Sequence, residues 1–125
     1  MKVVVNNVIP FKGFLAVNLF GVVSARKEPW RKLETWDRLR VINHESIHTA
    51  QMDDFALFLK WCPPLQRIVG GFVFYILYFL EWVYRLIFHT RTAYSGISFE
   101  KEAYAWETDM TYLKNRKHFA QWRKH

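Results

Sequence analysis

The stretch WDRLRVINHESIHTAQMDDF, residues 36–55, decides how the rest of the chain is read. Leu39, Ile42, Ile47, Ala50 and Phe55 recur at helical spacing, and Asp37 stands where an N-cap belongs, so the spacing predicts a long helix. Nothing interrupts the pattern until Cys62-Pro63-Pro64, where a helix must stop. Within it, His44-Glu45-Ser46-Ile47-His48 is a complete HExxH motif. Two histidines four positions apart on a helix are offset by only about 40° and one turn. Both imidazoles can therefore reach one ion. Glu45, beside the first of them, points partly away, where a carboxylate can act as general base toward water without entering the coordination sphere.

Two histidines do not complete a zinc site, because catalytic zinc usually takes three protein ligands and keeps one open position. Asp54 stands where the extended HExxHxxGxxH pattern would place a third His. The single cysteine, Cys62, excludes a cysteine-based site and an intramolecular disulfide, and reads as a small apolar filler at a helix end. Any metal must then use His and carboxylate ligands, and the segment Ile97 to Ala103, with Glu100 and Glu102, is the best supplier of the third. Ser98 reads as the N-cap of a second helix running to about Arg116, with Glu100, Glu102 and Glu107 on it. Glu100 and Glu107 share a face two turns apart, while Glu102 points about 200° from Glu100, so only one of Glu100 and Glu102 can be the ligand.

HExxH followed by a downstream helix bearing E-x-x-A resembles the gluzincin metallopeptidases. Glu100-Lys101-Glu102-Ala103 matches the second element, so the resemblance implies Glu100 as third ligand; Glu102-Ala103-Tyr104-Ala105 also fits and keeps Glu102 as the alternative. The chain also resembles a group of small zincin-like proteins with N-H-E-x-x-H-x-x-Q and F-E-x-E-A-Y, here Asn43 to Gln51 and Phe99 to Tyr104, from Phe11-Lys12-Gly13-Phe14 onward. The gluzincin resemblance implies Zn2+ as cofactor and a peptide or protein substrate, while the resemblance to the small zincin-like proteins implies a fold and a site but no known substrate. Gluzincins commonly carry Asp after E-x-x-A; Tyr104 occupies that place, so the carboxylate orienting a ligand His must come from elsewhere, with Glu107, Asp109 or a backbone carbonyl as candidates. Gln51, one turn beyond His48, is a further candidate to hydrogen-bond a ligand. Tyr94 and His89 are the candidates for stabilising an oxyanion.

Outward from the motif, Val3-Val4-Val5 and Phe14 to Val23 are β-prone, with Gly21 as a bulge or turn. Residues 24–34 read as a basic connector around Pro29. The expected architecture is α+β: a small N-terminal antiparallel hairpin or sheet packed on about three helices, as one zincin-like domain. Its parts are a β-rich 1–34, a helical 35–117 with the metal site, and a basic tail 118–125. One N-terminal strand would align substrate.

The stretch Phe72 to Phe88 is the most apolar, close to the roughly 18 residues of a membrane span. Its two charges, Glu81 and Arg85, are spaced to pair on one face. A buried or membrane-surface helix is favoured over a true span, because charges inside lipid are costly. With 18 basic and 11 acidic side chains the net charge is +7. Arg26, Lys27, Arg31, Lys32, Arg38 and Arg40 surround Trp30 and Trp36, and Lys114, Arg116, Lys117, Arg123 and Lys124 crowd the C-terminus. These read as solvated faces or as contacts to an anionic membrane surface. Nucleic acid is not expected, since no reader motif accompanies the charge. The N-terminus lacks the apolar core and cleavage site of a signal peptide, so a cytoplasmic or membrane-associated location is expected. Hydrophobic residues at 51% and aromatics at 18% supply a dense core or a lipid-facing surface.

Overall fold

The computed structural model describes residues 2–9, 14–88, 91 and 96–117. The fold is α+β: a three-stranded sheet packed against helices. Strands β1 (Lys2–Asn6), β2 (Ala16–Leu19) and β3 (Val22–Arg26) lie in the order β1-β3-β2. β2 and β3 form the expected antiparallel hairpin, but β1 pairs parallel to β3, which makes the sheet mixed. The hairpin turn places Phe20 at φ 51 and Gly21 at φ 91, the two left-handed residues of a tight turn whose twist matches the strands. Residues 24–34 are not a plain connector. They complete β3 and form the short helix α1 (Lys27–Lys32).

The motif helix, α2, runs Thr35–Asp54. It starts two residues before the expected cap, with Glu34 as N-cap and no side-chain cap bond. It also stops well before Cys62. The chain turns at Phe55 and Ala56, and a single 3-10 turn, Leu57–Leu59, follows. Tertiary contacts fix that end: Gln66 donates to the Asp53 carbonyl at 3.0 Å and Arg67 grips the Asp53 carboxylate at 2.7 and 2.9 Å. Pro63 opens the next helix, α3 (Pro63–Phe88), instead of only ending the previous one. A proline in the first turn loses no hydrogen bond, since that N–H has no helical partner anyway. The apolar helix therefore starts nine residues earlier than its most hydrophobic stretch.

Helix α4 covers Ser98–Trp106 and the short α5 covers Tyr112–Asn115. Ser98 is the first helical residue and not the cap. Its N–H and hydroxyl both donate to Glu81 of α3, at 2.9 and 2.7 Å, so the cap is supplied from another helix. The continuous helix expected to Arg116 breaks after Trp106 because Asn43 Nδ2 takes the carbonyls of Trp106, Glu107 and Asp109, at 3.1, 2.9 and 3.1 Å.

Met52, Phe74, Ile97 and Phe99 form the core between α2, α3 and α4, with the Phe74 and Phe99 rings 4.8 Å apart. Gly70 permits the closest approach, since a Cβ there would overlap the Met52 carbonyl. β2 is tied to both long helices. Asn18 Nδ2 donates to the Glu45 carbonyl and the Thr49 hydroxyl, and Tyr75 donates its O–H to the Asn18 carbonyl at 2.6 Å.

Candidate metal centre

α2 brings His44 and His48 to one face, both buried, with their rings 4.9 Å apart. α4 delivers Glu100 against them: its Oε1 lies 3.1 Å from His44 Nε2 and 2.6 Å from His48 Nε2. One donor atom from each of the three residues falls within 4.8 Å of the other two. Tyr78 of α3 donates its O–H to the other oxygen, Glu100 Oε2, at 3.0 Å.

The surrounding hydrogen bonds fix the protons. His44 Nδ1 lies 2.7 Å from Glu107 Oε2, a carboxylate that only accepts when ionised, so this nitrogen donates. Gln51 uses its amide N–H groups on the Phe99 carbonyl at 2.9 Å and on Glu102 at 3.1 Å. Its oxygen therefore faces His48 Nδ1, at 2.8 Å, and that nitrogen also donates. With both imidazoles neutral, three lone pairs converge in a buried space, and such an arrangement demands positive charge. Burial alone would lower the His48 imidazole, but the hydrogen bond and charge of Glu100, aided by Glu45 and Gln51, raise it to about 9. A divalent cation meets the same demand by displacing that proton.

The donor set suits zinc: two imidazole nitrogens and one carboxylate oxygen. Ligand atoms about 2.1 Å from a tetrahedral ion stand about 3.4 Å apart, so the two spacings to Glu100 Oε1, 3.1 and 2.6 Å, need to open by less than about 1 Å. Each imidazole is also oriented from behind, His44 by Glu107 and His48 by Gln51, as metal-binding histidines commonly are.

Glu45 lines a cavity of about 600 Å³ together with His48, Glu100, Phe14, Ala16, Val17, Asn18, Phe74, Tyr75 and Tyr78. Burial raises its carboxyl above the ordinary value, with Glu100 adding to the effect and the two histidines opposing it. A raised carboxylate is a stronger base, nearer to the task of taking a proton at neutral pH.

Glu102 faces away from the imidazoles. It is fully buried and bound by Arg116 at 2.6 and 3.1 Å and by the Tyr112 hydroxyl at 2.7 Å. Arg116 also holds Asp54, at 2.8 and 3.3 Å, so this residue of the basic C-terminal run is not a solvated charge. Burial alone would raise the Glu102 carboxyl, but Arg116, with Tyr112 and Gln51, holds it below its ordinary value.

Of the further candidates, Glu107 and Gln51 contact the two histidines, while Asp109 instead turns back on Thr111 at 2.9 and 2.7 Å. Tyr94 and His89 lie outside the described residues, as do Phe11, Lys12, Gly13 and the tail 118–125. Sequence reasoning missed Tyr78, on Glu100; Asn43, which sets the turn carrying Glu107; and Tyr104, whose ring lies 4.7 Å from that of His44. Only Asn43 and Tyr104 had a signal, as fixed letters of the two quoted patterns. Comparison of the chain with protein-family models, with curated proteins and with solved structures finds no match.

Proposed function

We propose that the protein is a zinc-dependent metallopeptidase of gluzincin type, with His44, His48 and Glu100 holding the metal. The observation that carries this reading is the convergence of those three buried side chains next to Glu45, on the wall of a cavity. Zinc, when bound, would supply Lewis-acid polarisation of the scissile carbonyl and of the attacking water. Glu45 takes the proton of that water on its carboxylate and passes it to the leaving amine. Glu107 and Gln51 hold the imidazoles with their Nε2 atoms inward, and Tyr78 holds Glu100. β2 pairs only with β3 among the described residues; Tyr75 holds the Asn18 carbonyl and the Phe20 N–H at the turn end of its other edge, and an extended peptide would add as a strand on the part before Asn18. Ala16, Val17 and Asn18 of that strand line the cavity, which supports β2 as the substrate-aligning element.

The test is Glu45→Gln, assayed for cleavage of an unstructured protein substrate and for bound zinc. Removing a general base lowers the rate by about 10²–10⁴-fold, and zinc content should not change because Glu45 is not a ligand. A variant that cleaves as fast as wild type would overturn the mechanism.

A further inference from the structure

The outward face of α3 is the largest feature that the metal centre does not use. Leu65, Ile68, Phe72, Ile76, Phe79 and Ile87 are each 40–66% exposed. At about 100° per residue they fall within an arc of about 100°, over a length of about 33 Å. Every residue that this arc contains between them is Leu, Ile, Val or Phe. The only charges of the helix, Arg67, Glu81 and Arg85, cluster within about 40° on the opposite side. All three are held by the protein: Arg67 by Asp53, and Glu81 by Ser98 and Arg85. An 18-residue window of α3 has mean hydropathy 1.5, yet only 11% of it is buried: α3 gives one face to the core through Phe74 and leaves most of its apolar surface uncovered.

The helix cannot cross a bilayer without taking α2 with it. Gly70 abuts Met52, the Phe74 ring lies 5.7 Å from that of His48, and Tyr78 meets Glu100 beside His44. α2 thus runs back along α3 toward its own first turns, where Asp37, Arg38 and Arg40 lie. A span would place those charges in hydrocarbon, which is costly. A second protein is also a poor occupant. Protein interfaces carry about one hydrogen bond per 100–200 Å², and this stripe has no side chain that can make one. Lipid needs none. The net charge of +7 suits anionic headgroups, and exposed Lys60 and Trp61 at one end of α3, with exposed Arg91 beyond the other, are residue types that settle at headgroup level.

We propose that α3 lies in the plane of an anionic lipid bilayer, with its outward face among the acyl chains. The protein is then a monotopic membrane-surface protein and not a spanning one. Flotation of the full chain with vesicles tests it, using phosphatidylcholine with phosphatidylserine against phosphatidylcholine alone. Binding is expected to the mixed vesicles, to weaken by about tenfold or more without phosphatidylserine or in high salt, and to fall at least about tenfold in the doubly substituted I76E/F79E chain. Both residues are exposed, so circular dichroism of that variant should match wild type.

Three results would overturn the proposal. One is no binding to either vesicle. Another is a lipid-independent dimer, by sedimentation velocity, that I76E/F79E abolishes. The third is chain retained in the membrane through an alkaline carbonate wash, as for a span. None of these readouts involves zinc or hydrolysis, so the outcome is separate from that of Glu45→Gln.

Discussion

Replacing Arg116 by Met removes a buried cation that pairs with two carboxylates, Asp54 and Glu102. The Arg116 side chain is 3% exposed, and those of Asp54 and Glu102 are 0% exposed. Four hydrogen bonds disappear, at 2.6 and 3.1 Å to Glu102 and at 2.8 and 3.3 Å to Asp54. Taking away one partner of a buried ion pair costs about 3–5 kcal/mol, because the remaining charge stays desolvated. That is a large part of a total stability of roughly 5–15 kcal/mol. For a domain of this size, at roughly 4 °C per kcal/mol, the melting temperature should fall by about 12–20 °C.

The pH dependence should also change sign. In the wild type the Glu102 carboxyl is held below its ordinary value, so its contribution is present above 4.5 and lost as pH falls through the folded value. Without Arg116, burial pushes the same carboxyl up, and stability declines as pH rises through the new value. Urea unfolding followed by circular dichroism measures both effects. The neutral triple variant, Asp54→Asn with Glu102→Gln and Arg116→Met, should recover most of the loss. A loss in Arg116→Met below about 1 kcal/mol, the scale of an exposed ion pair, would refute the reasoning.

Glu107→Ala should weaken zinc binding about 10–100-fold, since a carboxylate that orients a ligand histidine is worth that much; calorimetric titration at constant pH checks it, and an unchanged affinity would show that His44 needs no such support. Gly70→Ala puts a methyl group into the Met52 carbonyl and should cost at least about 1–3 kcal/mol of stability, read by urea unfolding. If Gly70→Ala is as stable as wild type, α2 and α3 are not packed this closely. Saturating zinc at about 100 times its dissociation constant should stabilise the fold by about 2.7 kcal/mol, or roughly 10 °C. A chelator should reverse that gain, and a melting temperature indifferent to both would count against a native site.

The features legible in the sequence are those set by local spacing. His44 and His48 fall on one face because α2 is a helix, and the β2–β3 hairpin follows from its apolar runs around Gly21. What stayed hidden depends on residues far apart in the chain. Whether Glu100 or Glu102 faces the imidazoles follows from Arg116, which draws Glu102 away jointly with Asp54. Helix ends depend on distant residues for the same reason: Glu81 caps α4 from another helix, and Asn43 ends α4 by taking the carbonyl of its last residue, Trp106, with those of Glu107 and Asp109 beyond it. Pro63 is locally ambiguous, since proline can follow one helix or begin the next. Tyr78 lies in an apolar stripe where its ring suits packing, and only the tertiary fold aims its hydroxyl at Glu100.

If His44, His48 and Glu100 together bind zinc, the purified chain should carry it. Mass spectrometry after dialysis against trace zinc measures the metal content. One zinc per chain is expected in wild type and in Glu45→Gln, and none in His44→Ala or in Glu100→Ala, with circular dichroism confirming that each variant is folded. Wild-type protein without zinc, or zinc kept in full by both ligand variants, would contradict it.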